Sequence, residues 1–185
     1  MNSKPIVLIG PMASGKSTVA RNLSKITGRQ NVPMDRVRGY YYIKDGINTD
    51  HEFTLSNFSE LVAYWKPFEL KAVRRILSEF PKAIIDFGAG HSVYTDPSQF
   101  QEIELMLRPL PHVYLLLPCE DRERSLSICN QRLLARRNGR PLEEDEIATN
   151  RLFVMDKSNY QLAKKIFYSE GKTTDQVAEE IATQL

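Results

Sequence analysis

The sequence has few of the devices that small extracellular or membrane proteins depend on. Two cysteines, Cys119 and Cys129, stand in 185 residues. They are too few for a disulfide framework and too widely spaced for a zinc site, so both read as free thiols. Nowhere does an apolar run approach the roughly 18 residues that a membrane-spanning helix requires. Residues 1–5 lead directly into a strand-like stretch, with neither a long apolar region nor a small-residue cleavage site. The expectation is a cytoplasmic protein without a membrane partner. An excess of one charge sign is also missing: 25 Lys and Arg face 23 Asp and Glu, a formal net charge of +2. So balanced a chain has no global attraction to nucleic acid or to an anionic surface, and any basic patch must be local. No internal repeat or low-complexity linker interrupts it.

What the chain does have is 42% hydrophobic beside 26% charged residues. That composition buries one sizeable core, and a single domain over residues 1–185 is expected. Short apolar runs alternate with longer amphipathic ones, the pattern of parallel strands joined by crossover helices, so the fold class is α/β. Strands are predicted over residues 5–9, 30–33, 83–87, 112–117 and 165–169. A helix is predicted over residues 16–27, with Val19, Leu23 and Ile26 on one face and Gly28 closing it in the left-handed conformation. Further helices are expected over 54–64 and 68–80, a pair separated by Pro67, and over 99–107 and 121–137. The last begins at Thr173, where Gln176 three residues on completes a capping box.

The decisive stretch is Gly10-Pro11-Met12-Ala13-Ser14-Gly15-Lys16-Ser17, which fits Gly-x4-Gly-Lys-Ser/Thr and lies between a predicted strand and a predicted helix. Glycines let backbone wrap around phosphates, the following helix presents its N-terminal amides, and Lys16 places a cation near the β and γ phosphates. Ser17 is suited to Mg²⁺. A solvated glycine-rich turn would leave the spacing, the lysine, the hydroxyl and the flanking elements to coincidence.

Other candidates are more open. Asp86 ends an apolar run and projects from the carboxyl end of a central strand, where ligands bind in open parallel sheets. It reads as a water-mediated Mg²⁺ contact or as an acid that organises the next turn. Gly88 and Gly90 either let backbone approach a substrate or simply serve the turn. Asp35, after the second strand, either accepts the proton of a hydroxyl being phosphorylated or pairs with Arg36 or Arg38. Arg132, Arg136, Arg137 and Arg140 surround Asn138-Gly139 and precede the acidic stretch 143–146. They form either a mobile lid that closes over phosphates or an ordinary solvated helix face.

The stretches 10–18 and 84–93 and the tripeptide Arg140-Pro141-Leu142 resemble the shikimate kinase family, within the wider group of nucleoside-monophosphate-kinase-like P-loop proteins, over nearly the whole chain. The resemblance implies a three-layer P-loop fold with a five-stranded parallel sheet of order 2-3-1-4-5. It places a substrate-binding helical region at about 36–80 and a lid at about 133–150. It implies ATP and Mg²⁺ as cofactors, and Gly10, Met12, Ala13, Ser14, Gly15, Lys16, Ser17 and Thr18 as nucleotide-binding residues. Asp35 matches the second acid of the family's Asp-x-Asp pair, which binds substrate hydroxyls, while Pro33 stands in place of the first. Arg132 falls where an arginine stacks on adenine, and Arg140 where a lid arginine reaches the phosphates.

Several positions depart from the family. Its Phe-Arg-x-x-Glu motif would fall near residues 64–68, where no arginine stands; Ser158 replaces a second arginine; and the triple glycine becomes Gly88-Ala89-Gly90-His91. Losing guanidinium partners for a carboxylate weakens binding by several kcal/mol, so an acceptor other than shikimate is expected. Tyr40, Tyr41, Tyr42, Trp65 and His91 suggest an aromatic pocket or are ordinary core and surface aromatics. The function expected is transfer of the γ-phosphoryl group of ATP to a hydroxyl of a small-molecule acceptor. Two alternatives stay open: a regulatory or partner-binding P-loop protein without acceptor activity, and a polynucleotide-end or nucleoside kinase, which the basic segment favours and the balanced charge opposes.

Overall fold

Five short apolar runs supply the centre of the protein: β1 (Ile6–Ile9), β2 (Asn31–Pro33), β3 (Ile84–Asp86), β4 (His112–Leu117) and β5 (Lys165–Tyr168). In the computed structural model, which describes residues 4–137 and 140–185, they pair in parallel in the order β2-β3-β1-β4-β5. The sheet is covered on both faces, so β1 and most of β3 and β4 are apolar and buried, and alternate side chains serve opposite layers. Ile6 and Leu8 of β1, with Tyr114 and Leu116 of β4, meet Val19 and Leu23 of α1 (Lys16–Thr27) and Val177 and Ile181 of α9 (Thr174–Ala182). Val7, Ile9, Val113, Leu115 and Leu117 face the other way, into a larger core with α4 (Phe58–Glu79) and α5 (Pro97–Leu107). The remaining helices are α2 (Met34–Lys44), α3 (Thr49–Glu52), α6 (Arg122–Arg136), α7 (Glu144–Met155) and α8 (Lys157–Leu162).

The sheet order agrees with the expectation, and so do the bounds of α1, where Gly28 adopts φ +69° and donates to the carbonyl of Ser24 at 2.9 Å. The capping box of α9 is also in place: Thr173 Oγ1 accepts from the Gln176 amide at 3.2 Å and Gln176 Oε1 from the Thr173 amide at 2.8 Å. The expected helix pair around Pro67 is instead the single helix α4 of 22 residues. A proline inside a helix costs about 3 kcal/mol. The stripe Val62, Leu70, Val73 and Ile76 is buried along α4, and each such side chain contributes about 1.5–3 kcal/mol, so packing outweighs the break. The helix starts at Phe58 rather than near Thr54 because Asn57 caps it, accepting from the Glu60 amide at 2.9 Å. Helices α2 and α7 had no counterpart in the sequence pattern. Of the expected lid, residues 133–136 continue α6 and residues 144–150 begin α7; Asn138 and Gly139 lie outside the described residues. Among the described residues no helix is long and apolar enough to cross a membrane.

Candidate active site

Connections from β1 and β3 leave the sheet in opposite directions, so a crevice opens between their carboxyl ends, the place where open α/β sheets bind ligands. The loop after β1 fills one side of it. Gly10 has φ +139°, and a Cβ there would lie 2.5 Å from the carbonyl oxygen of Leu116, so the loop packs on β4 only with glycine at this point. Ala13 is left-handed at φ +58°, a conformation that costs an L-residue roughly 1–2 kcal/mol. With Gly15 at φ +104° it curls the chain into a concave nest of amides ahead of α1. Strain of this kind at a non-glycine residue points to a backbone shaped for a ligand.

Lys16 folds back over that nest. It is buried, and its Nζ donates to the carbonyls of Gly10 and Pro11 at 2.8 Å each. An ammonium has three donors, so one is left over from these two carbonyls and is available to a ligand. Burial pushes the Lys16 amine below the ordinary lysine range, while Asp86 and Asp35 oppose the shift. Asp86, at the end of β3, is buried with Oδ1 lacking a hydrogen-bond partner among the described residues. Burial raises its carboxyl group above the usual range, countered chiefly by Lys16 and then by the Ser17 hydroxyl.

Asp35 stands in the first turn of α2 and closes the crevice from the other side. A Cβ built on Gly88 would lie 2.1 Å from Asp35 Oδ1 and 2.7 Å from His91 Nδ1. Gly88 itself has φ −61°, so glycine is required there for close approach and not for backbone conformation. Asp35 is exposed, and the ion pairs of the described residues include none with it. Gly90 is hemmed in likewise, by Glu69 Oε1 at 2.8 Å and Lys66 Nζ at 3.3 Å from its hypothetical Cβ.

Two cavities of about 210 Å³ each meet at these residues. One runs along the phosphate loop from Ala13 to Ser17 and ends at Arg136; the other has apolar walls from Phe58, Val62, Trp65 and Phe153. Met12, Asp35 and Ala89 line both. Beneath the second lies a buried polar group. Lys66 Nζ binds Glu69 Oε2 at 2.8 Å and the Gly90 carbonyl at 2.5 Å. His91 Nε2 faces the Tyr42 hydroxyl at 3.4 Å, and its Nδ1 has no partner among the described residues. Burial keeps the His91 ring below the ordinary histidine range, hence neutral near pH 7.

The residues predicted from sequence thus converge, with differences in detail. Arg132 reaches the Ala13 carbonyl at 3.5 Å. Arg140 is exposed and is not among the residues lining the phosphate cavity; Arg136 is the member of the arginine cluster that stands there, and Arg137 pairs with Glu146. Of the three adjacent tyrosines, Tyr40 faces solvent and Tyr41 donates to Glu79 at 2.7 Å; Tyr42 alone approaches the site, behind His91. Trp65, Lys66 and Glu69 occupy the spacing of the family's Phe-Arg-x-x-Glu, one residue beyond the stretch first matched to it, with lysine for arginine. Ser158 is buried against the backbone of Tyr94, away from the cavity.

Asn150 had no signal in the sequence at all. Its Oδ1 accepts from the Met12 amide at 3.0 Å and its Nδ2 donates to Asn130 Oδ1 at 2.9 Å, so α6 and α7 jointly hold the phosphate loop. Asn150→Ala should raise the KM for ATP about tenfold with a smaller loss of kcat, since it frees the loop without removing a phosphate ligand. Steady-state kinetics with varied ATP check this; an unchanged KM would show that the contact is dispensable.

Solved structures share this architecture. A shikimate kinase from Acinetobacter baumannii in complex with shikimate aligns with a TM-score of 0.67 at 19% identity, covering 98% of this chain and 92% of the other. A gluconokinase from Sinorhizobium meliloti gives 0.59 at 13%, covering 98% and 90%. The tunicamycin resistance protein of Deinococcus radiodurans gives 0.58 at 21%, covering 98% and 95%. A comparison with curated protein sequences gives no match. The sequence does match the family described as shikimate kinase from residue 12 to residue 185, and the chain belongs to that family of small-molecule P-loop kinases.

Proposed function

We propose that this kinase transfers the γ-phosphoryl group of ATP to a hydroxyl of a small polyhydroxylated acceptor other than shikimate. The observation that carries this reading is the place of Asp35, which lines both the phosphate cavity and the cavity beside it. A hydroxyl bound in the second cavity meets the end of a triphosphate held in the first at this carboxylate. The hydroxyl oxygen forms a bond to the γ-phosphorus as the bond to the β-bridging oxygen breaks, Asp35 takes the hydroxyl proton, and ADP leaves. Lys16 and Arg136 supply positive charge to the phosphates.

Mg²⁺ fits the residues present. The donors near the loop are oxygens, as a hard cation prefers, and the unpartnered buried Oδ1 of Asp86 beside Ser17 is an acceptor without an internal role. Ser17 would hold the ion directly and Asp86 would orient its water. When bound with ATP it would neutralise charge on the β and γ oxygens.

The acceptor preference rests on the two positions where the family resemblance implies arginines; Arg38, which lines the acceptor cavity, is stacked on Trp65. Ser158 is buried where the family resemblance implies one arginine, and Lys66 stands for the other with two of its three donors on Glu69 and the Gly90 carbonyl. Asp35 instead offers an acceptor for hydroxyl donors. The deciding measurement is Mg²⁺-dependent ADP release with shikimate and, in parallel, with sugars, polyols and nucleosides. Release stimulated by a polyol and not by shikimate is expected. Turnover of shikimate would overturn the acceptor assignment, and ATP binding without stimulation by any acceptor would favour a regulatory role. Gly88→Ala should lower kcat/KM for the acceptor at least about 100-fold, because the added methyl overlaps Asp35 and His91. Nucleotide affinity, read with a fluorescent ATP analogue, should stay within about twofold, since Gly88 does not line the phosphate cavity.

A further inference from the structure

A third cavity, of about 250 Å³, lies between α2, α3 and α4. It shares Asp35, Arg38 and Trp65 with the acceptor cavity. The common wall is a stack: the Arg38 guanidinium carbon sits 4.0 Å from the centre of the Trp65 ring and 5.8 Å from that of Tyr42. The indole edge is fixed by its Nε1, which donates to Glu52 Oε1 at 2.5 Å. Among the described residues Arg38 has no ion pair; the Trp65 and Tyr42 side chains hold it in the wall.

Size and lining both favour a single ligand that spans the two adjacent cavities. Small-molecule sites usually measure about 300–1,000 Å³. Each of these cavities falls short alone, at about 210 and 250 Å³, while the two together reach that range. The third cavity is walled by Tyr42, Ile43, Ile47 and Trp65, and its charges balance, Arg36 and Arg38 against Asp35 and Glu52. Ile43 is 67% exposed, an apolar side chain on the rim that a ligand would cover. Nothing in this lining favours a net charge, and the flat faces of Trp65 and Arg38 favour a planar group.

We propose that the two cavities take a two-part acceptor: a hydroxyl-bearing ring at Asp35 and an uncharged aromatic or apolar arm that lies along the Arg38 and Trp65 stack and ends against Ile43 and Ile47. An aryl glycoside has this chemistry. The inference rests on the kinase reading above and narrows its substrate class.

Trp65 is the only tryptophan in the chain, so its fluorescence reports occupancy of the wall without any need for turnover. The test titrates matched pairs, glucose against phenyl β-glucoside, ribose against inosine, and shikimate against its anilide, in wild type and in Ile43→Glu. The exposed position of Ile43 makes that variant compatible with folding, which circular dichroism verifies. In at least one pair the arm-bearing member should bind ten times more tightly or better. Ile43→Glu should remove that advantage while leaving the bare ring and a fluorescent ATP analogue unaffected. No gain from the arm in any pair, or a gain that survives Ile43→Glu, would overturn the proposal. Failure of the ATP analogue to bind wild type would overturn it through the kinase reading beneath it, and is read in a separate channel.

Discussion

Asp35→Asn should reduce kcat by about 10²–10⁴-fold, the range associated with loss of a general base, while the KM for ATP changes by less than about threefold. The asparagine keeps the shape that fits against Gly88, so the acceptor cavity stays formed and only the ability to take a proton is lost. A residue that merely bound a hydroxyl would behave differently, because an amide still hydrogen-bonds. Its loss would appear in the acceptor KM, by about tenfold, with kcat nearly preserved. Steady-state kinetics on the best acceptor separate the two, and a KM-only effect would demote Asp35 from base to binding residue. Asp35→Ala adds a control: it opens space beside Gly88, so a further rise in acceptor KM over Asp35→Asn would report lost packing and not lost proton transfer.

The halves of the site differed in how far they could be read from sequence. The phosphate loop depends on residues adjacent in the chain, so its spacing, its flanking strand and helix, and the cap at Gly28 were all visible in one segment. The sheet order followed from family resemblance and agrees with the structure. Helix α2 was missed although Met34, Tyr41 and Tyr42 recur at i, i+7 and i+8, because Arg36, Arg38 and Gly39 break up the apolar run between them. Proline punctuation misled at α4, where the long buried stripe outweighs one lost hydrogen bond. The acceptor side gathers Asp35, Glu69, Gly88 and His91 from three separate elements, and no local pattern encodes that meeting. The arginine cluster could be seen, yet only the direction of the last turn of α6 distinguishes Arg136, at the phosphate cavity, from Arg137, turned to Glu146.

Lys16→Met should cost about 10³-fold or more in kcat/KM for ATP, since it removes the cation nearest the transferring phosphoryl group from a largely buried site where charge is weakly screened. Part of any loss could come from the loop itself, because the same amine holds the carbonyls of Gly10 and Pro11. Thermal stability tells these apart. A purely structural lysine, once removed, would leave two carbonyls unpaired and lower the melting temperature by several degrees. Here the burial cost of the charge is also relieved, so the nucleotide-free variant should melt within a few degrees of wild type while ATP no longer raises its melting temperature. The pH dependence carries the same signature. Burial places the folded-state pKa of Lys16 below the ordinary lysine value of 10.5, so the amine in the folded protein loses its proton before that of the unfolded chain. The charged form therefore costs stability below the folded pKa, and the cost is recovered as pH rises from there toward 10.5. ATP affinity should move in the opposite direction, falling over that alkaline window in wild type and staying flat in Lys16→Met. An alkaline loss of affinity that persists in the variant would assign the titration to another group and remove Lys16 as its source.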